Sequence, residues 1–186
     1  AFADVSATPQ NGYGVTNVAR GKLASYTEID GTEIPRDQLR YLHGTDFAAF
    51  DPYTALTDGD HEPGENHSIV NVVKSDGSEL RSFAVIDLEQ AYTVTGLNVD
   101  FWHDHSFIEV VIQVANSADF SDAVTVLNND TANEMKCGAG TGEALQNVST
   151  KGVDVSFSPV YGRYVRVSGR DVAGGIRFTE IEVYGV

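Results

Sequence analysis

The densest chemistry in this 186-residue chain lies at Trp102-His103-Asp104-His105. Trp102 is the sole tryptophan, and it ends an alternating apolar run. An exposed indole face there would stack on the C–H face of a sugar ring, while His and Asp hydrogen-bond its hydroxyls. The same tryptophan would serve equally as a cap on the core, with a solvated loop behind it. His103 and His105, if they lie on a strand, share a face as two metal ligands would, but no third zinc ligand stands near them. Tyr41, His43 and Phe47 fall in an irregular, aromatic-rich stretch over 28–53. They would either wall the same site or seal that stretch's own small core. Arg170, followed by Asp171, stands before the last strand as a further polar contact.

A second constellation is Asp58-Gly59-Asp60. Gly59 permits a tight turn, so carboxylates and carbonyls can converge as a hard cation such as calcium requires. The spaced acids and terminal glutamate of an EF-hand are missing, and an ordinary polar turn has the same composition. The chain contains no nucleophile elbow, P-loop, dinucleotide fingerprint or His-Glu-x-x-His run. Nothing singles out two carboxylates as a glycosidase pair. Cys137 is alone, which excludes an internal disulfide. Asn66, Asn129 and Asn147 open glycosylation sequons.

These residues need a frame, and the alternation supplies it. Tyr164 to Ser168 and Thr179 to Tyr184 each read as a strand with one buried face: Val165 and Val167 in one, Ile181 and Val183 in the other. Further strands are expected at 17–27, 69–73, 83–88, 92–102, 109–114, 125–127 and 153–157. Residues 36–42 predict one or two helical turns, and Gly169 to Gly175 a long flexible loop. Residues 1–16 read as an arm or linker, and 17–186 as one module. Short strands between regular turns predict an all-β, antiparallel β-sandwich or jelly roll.

The formal net charge is −15, which argues against nucleic acid and anionic membrane surfaces as partners. No apolar run is long enough to span a bilayer, so no membrane insertion is expected.

In their order along the chain, several segments resemble the discoidin, coagulation-factor type C-like modules with the galactose-binding-like fold. Val85-Ile-Asp-Leu-Glu-Gln-Ala-Tyr-Thr-Val-Thr-Gly-Leu97 is similar to their central strand pair, and Val111 to Asp130 to bacterial members attached to polysaccharide-degrading enzymes. The resemblance covers about 17–186 and implies a structural calcium ion. Asp58 and Glu180 would supply carboxylates to it. Ala55, Asp60 and Thr179 would offer carbonyls, and Ser68 a hydroxyl and a carbonyl. The usual tryptophan after the Asp-Gly loop is absent here, and so are the arginines of fucose-binding members, so the sugar does not carry over.

The resemblance implies a non-catalytic carbohydrate-binding module, secreted or at the cell surface. It would target a larger multidomain parent to an oligo- or polysaccharide. Trp102, His103, His105, Tyr41, His43 and Arg170 are its candidate ligand contacts. An adhesion or protein-binding module on the same scaffold is the alternative. A small polysaccharide-active β-sandwich enzyme, such as a lyase using His103 or His105 with a tyrosine, is the more remote one.

Overall fold

The computed structural model of the protein describes residues 14–41, 51–62 and 69–186. Its strands, in chain order, are β1 (Thr16–Asn17), β2 (Ala24–Glu28), β3 (Leu39–Tyr41), β4 (Val70–Val72), β5 (Ser82–Asp100), β6 (Ser106–Ile108) and β7 (Val111–Ala115). They continue with β8 (Val124–Asn128), β9 (Leu145–Gln146), β10 (Val153–Val167), β11 (Arg170–Asp171), β12 (Arg177–Phe178) and β13 (Glu180–Gly185). One short helix, α1 (Pro52–Ala55), is capped by Asp51, whose carboxylate accepts from the Tyr53 amide at 2.9 Å.

Every pairing is antiparallel. The main sheet runs β1-β13-β5-β10-β7-β8, with β2 also on β5. Its spine is the ribbon of β5 and β10, whose register slips between Ser156 and Val160 and again between Gly162 and Tyr164. On one side of the slips β5 pairs with β13, on the other with β2. The ribbon therefore feeds two layers. Leu97, Val99, Ile181 and Val183 from one meet Ile86, Val114, Val165 and Val167 from the other in a single sealed core. That is the antiparallel β-sandwich the alternation predicts.

Two small sheets, β11-β6-β9 and β12-β4-β3, stand at the end where β5 finishes. β12 leads directly into β13, so residues 170–180 link both to the sandwich. Stacked Phe101 and Phe107 (ring centroids 4.6 Å apart) seat this end on the core, with Phe178 6.1 Å from Phe101.

Several expectations need correction. Residues 83–88 and 92–102 do not form two strands. They belong to one 19-residue strand that passes through Glu89 at φ 69°. Residues 36–38 make a 3-10 turn, but 39–41 are strand, because Leu39 and Tyr41 pair with Val72 and Val70. The 169–175 stretch is not an open loop. β11 pairs with β6, and the Asp171 amide donates to Gly175 O at 3.0 Å. The face of β13 opposite Ile181 and Val183 is not solvated either: Glu180 is fully buried and Tyr184 nearly so. Asn129 and Asn147 are buried in hydrogen bonds, which removes them as glycosylation sites. No helix among the described residues is long and apolar enough to cross a membrane.

Candidate functional site

β5 ends at Asp100, and the chain turns sharply. Trp102 sits at φ +99°, a region bulky residues avoid because Cβ crowds the backbone. Asp100 holds it there. The buried carboxylate accepts the Trp102 amide on Oδ1 at 2.9 Å, and the same oxygen accepts Asn147 Nδ2 at 3.1 Å. Asn147 also donates to His103 O (2.9 Å) and accepts from the Phe101 amide (3.1 Å). Asp104 accepts the Ser149 amide. A four-residue bend is thus pinned at both ends by buried or local polar groups.

What the bend presents is a row of rings. Trp102 and His103 have centroids 3.4 Å apart, and His103 and His105 4.7 Å. The two histidines do share a face, though in a bend rather than on a strand as the spacing suggested. The Arg177 guanidinium lies 5.6 Å from the indole centroid. His105 Nδ1 is 2.7 Å from Asp171 Oδ2, which is buried, and Arg177 approaches the same oxygen at 3.8 Å. The Asp171 pairing spans 66 positions of sequence, so no local pattern announces it.

The remaining candidates are placed differently. Arg170 begins β11, and its Nε is engaged by Glu79 Oε2 at 2.8 Å, so it serves the frame. Tyr41 is described in its backbone only, at the end of β3. His43, Phe47, Asn66 and Ser68 lie outside the described residues.

The second constellation forms where the 56–62 segment lies against β13. The Ile181 amide donates to Leu56 O at 2.7 Å, and the Gly59 amide to Glu180 Oε1 at 2.9 Å. Gly59 has φ +84°, a conformation that favours glycine, and a Cβ on it would displace the mobile guanidinium of Arg20. Asp58 Oδ1 accepts the Asp60 amide. Burial, and then the nearby Asp58 carboxylate, push Glu180 up to about 9. Glu180 Oε2 and Thr179 Oγ1 are both buried with no hydrogen-bond partner among the described residues. Ala55 closes α1 just upstream. No group of three or more His, Cys, Asp or Glu side chains gathers in metal-binding geometry among the described residues. A cation here would therefore rest on two carboxylates plus backbone and hydroxyl oxygens, a set that suits a hard ion.

His61, which sequence reasoning missed, joins the two constellations. Its Nδ1 lies 3.4 Å from Asp100 Oδ2, and its Nε2 3.7 Å from Glu182 Oε1. Asp100 and then Glu182 raise its pKa to about 10. Its only sequence signal was proximity to Asp60.

The chain has the discoidin-type, galactose-binding-like fold. Its architecture is similar to chitosan-binding module 1 from a chitosanase/glucanase of Paenibacillus sp. IK-5: TM-score 0.54, 19% identity, 91% of this chain and 98% of that one covered. It is similar to the module CpGH89CBM32-4 of Clostridium perfringens, in complex with glcNAc-alpha-1,4-galactose, at TM-score 0.56 and 16% identity over 96% and 99% of the two chains. The lectin domain of lectinolysin, complexed with Lewis B antigen, gives TM-score 0.52 and 18% identity over 91% and 96%. No protein-family model and no curated protein sequence matches the chain.

Proposed function

We propose that this protein is a non-catalytic carbohydrate-binding module whose glycan contacts are Trp102, His103 and His105, backed by Asp171 and Arg177. The observation that carries this reading is the Trp102 turn: a buried carboxylate holds a bulky aromatic in a strained backbone conformation beside two closely placed histidine rings. Strain of that kind costs on the order of 1–3 kcal/mol and persists where a residue must be aimed. The likeness in fold to modules solved in complex with oligosaccharides supports the same conclusion. The sugar ring would lie on the indole, His103 and His105 would hydrogen-bond its hydroxyls, and Asp171 would fix the His105 ring.

Calcium belongs to this reading as a structural ion. Asp58 and Glu180 would hold it with carbonyls of Ala55, Asp60 and Thr179, and Ser68 would complete the set. The buried, unpartnered Glu180 Oε2 and Thr179 Oγ1 support that assignment. The ion would neutralise the paired carboxylates and fasten the 56–62 segment to β13. The likeness to a chitosanase/glucanase module supports a role in targeting a larger exported protein to a polysaccharide.

The test is a titration followed by the single tryptophan's fluorescence, with chitotriose, GlcNAc-α-1,4-galactose and Lewis b as probes. One of them should shift the emission. Trp102→Ala should weaken that ligand by about 1–3 kcal/mol with the melting curve retained. A variant that binds as well as the parent sinks the site. The His105–Asp171 pair would also suit a general base, so product release from the same glycans is the counter-assay, and it should find none.

A further inference from the structure

The other half of β5 carries a groove that the Trp102 loop does not touch. Its floor is the outer sheet face, where Ser25, Val85 and Arg166 stand in one row across β2, β5 and β10, continued by the buried Gln113 on β7. Tyr53 and Leu23 flank it, and the 118–120 turn closes one side. The cavity is about 760 Å³, within the usual range for small-ligand sites.

Two features mark it as built. The Arg166 guanidinium is clamped between the rings of Phe83 (4.1 Å) and Phe120 (4.4 Å), with Nε on Gln113 Oε1 at 2.7 Å. In a chain of net charge −15 it has no carboxylate partner among the described residues, although Asp87 lines the same groove. Asp87 is taken instead by Arg163, in a bidentate pair at 2.7 and 2.9 Å. Phe120, the upper jaw of the clamp, sits at φ +58°, a bulky residue in left-handed backbone like Trp102. The 116–122 turn fixes it, with Asp122 accepting the Asn116 and Ser117 amides.

We propose that this groove is a second glycan-binding site, taking a stretch of uncharged polysaccharide across the strands. The floor is the face of a sheet rather than an edge, so recognition there must come from side chains. Tyr164 supplies an aromatic face, the Arg166 N–H groups not held by Gln113 or Cys137 donate to ring or hydroxyl oxygens, and Asp30, Glu33 and Asp119 accept from hydroxyls at the rim. The charges select the occupant. The acidic rim repels uronic or sulfated chains, and the central guanidinium, which only donates, is met by hydroxyl and ring oxygens rather than by the ammonium groups of a fully amino chain. A neutral polyol answers both.

The experiment is amide chemical-shift mapping on the Trp102→Ala protein, which removes the loop reading from the result. The probes are cellohexaose, xylohexaose and mannohexaose, with hexagalacturonate and fully deacetylated chitohexaose as charged controls. A neutral hexaose should move the amides of Ser25, Val85 and Arg166. Ser25→Trp, which fills the groove from a half-exposed sheet position, and Tyr164→Ala should each weaken it at least tenfold. In the chain with Trp102 intact, Ser25→Tyr, which fills the groove without adding a second tryptophan, should leave the fluorescence titration unchanged. The proposal is overturned if no neutral hexaose moves those amides, if Ser25→Trp leaves the affinity intact, or if a charged hexamer binds there more tightly.

Discussion

Asp100 and Glu180 face each other across the β5–β13 pairing, and both are sealed from solvent. Asp100 is surrounded by donors: the Trp102 amide, Asn147 Nδ2 and His61. Among the described residues Glu180 has one, the Gly59 amide, and its second oxygen faces no donor while Asp58 stands beside it. One carboxylate is therefore complete within the chain and holds the Trp102 turn. The other is left short of positive charge. A buried acid has two remedies, a proton or a cation. The contrast teaches that equal burial says nothing about role; the count of donors does.

The widest gap between the two should open with pH. Glu180 in the metal-free fold is raised to about 9 from the ordinary 4.5, so its contribution is fully present below pH 4.5 and lost as pH climbs through 9. In chelator, stability should fall across that window by at most about 1.4 kcal/mol per pH unit. Calcium should reverse the trend and raise the melting temperature most at the alkaline end. Glu180→Gln should flatten the slope and abolish the calcium response. Melting curves indifferent to calcium at every pH rule the ion out and leave the fold standing.

Asp100→Asn should behave oppositely. It keeps the shape and the oxygen that accepts from Trp102 and Asn147, but loses the charge and turns a donor toward His61, so it should cost about 1–3 kcal/mol while His61 holds its proton and less above pH 10, with calcium or without. Chemical denaturation beside Glu180→Gln reads the difference. If both isosteres change stability in the same direction in chelator, the contrast between the two carboxylates fails.

A smaller effect belongs to His61. Asp100 and then Glu182 hold its proton up to about 10, so its contribution is complete below pH 6.5 and lost as pH rises through 10. Partial solvent screening limits it to roughly 1 kcal/mol. His61→Gln in the Glu180→Gln background should remove this residual slope. Smallest of all, Asp100→Asn should shift the emission of Trp102 whereas Glu180→Gln should not, because only Asp100 holds the tryptophan's amide.

Much of the frame was legible because alternation reports one buried face, and Val165, Val167, Ile181 and Val183 lie on it. The rest was hidden for identifiable reasons. β5 looked like two strands because Glu89 and Gln90 are exposed and polar in mid-run. β6, β9, β11 and β12 are two or three residues long, too short for any period to show. Glu180 alternated as a surface residue should, yet the 56–62 segment covers that face. At the site, Trp102 and its histidines stood out by type and adjacency. Their supports did not: Asn147 and Asp171 lie far along the chain, and a positive φ at tryptophan leaves no trace in composition.

The bent ribbon of β5 and β10 also governs how the molecule comes apart and together. Both layers share those two strands, so neither layer can open while the other stays whole, and unfolding should proceed in one step. The partners are distant in sequence: Val99 waits for Val153, and Ala84 for Val167. Little local pairing can precede that encounter, and the loop between them must close before the core rewards it. Such a chain folds slowly, in the millisecond-to-second range of sandwich proteins, and once closed it lets go slowly as well.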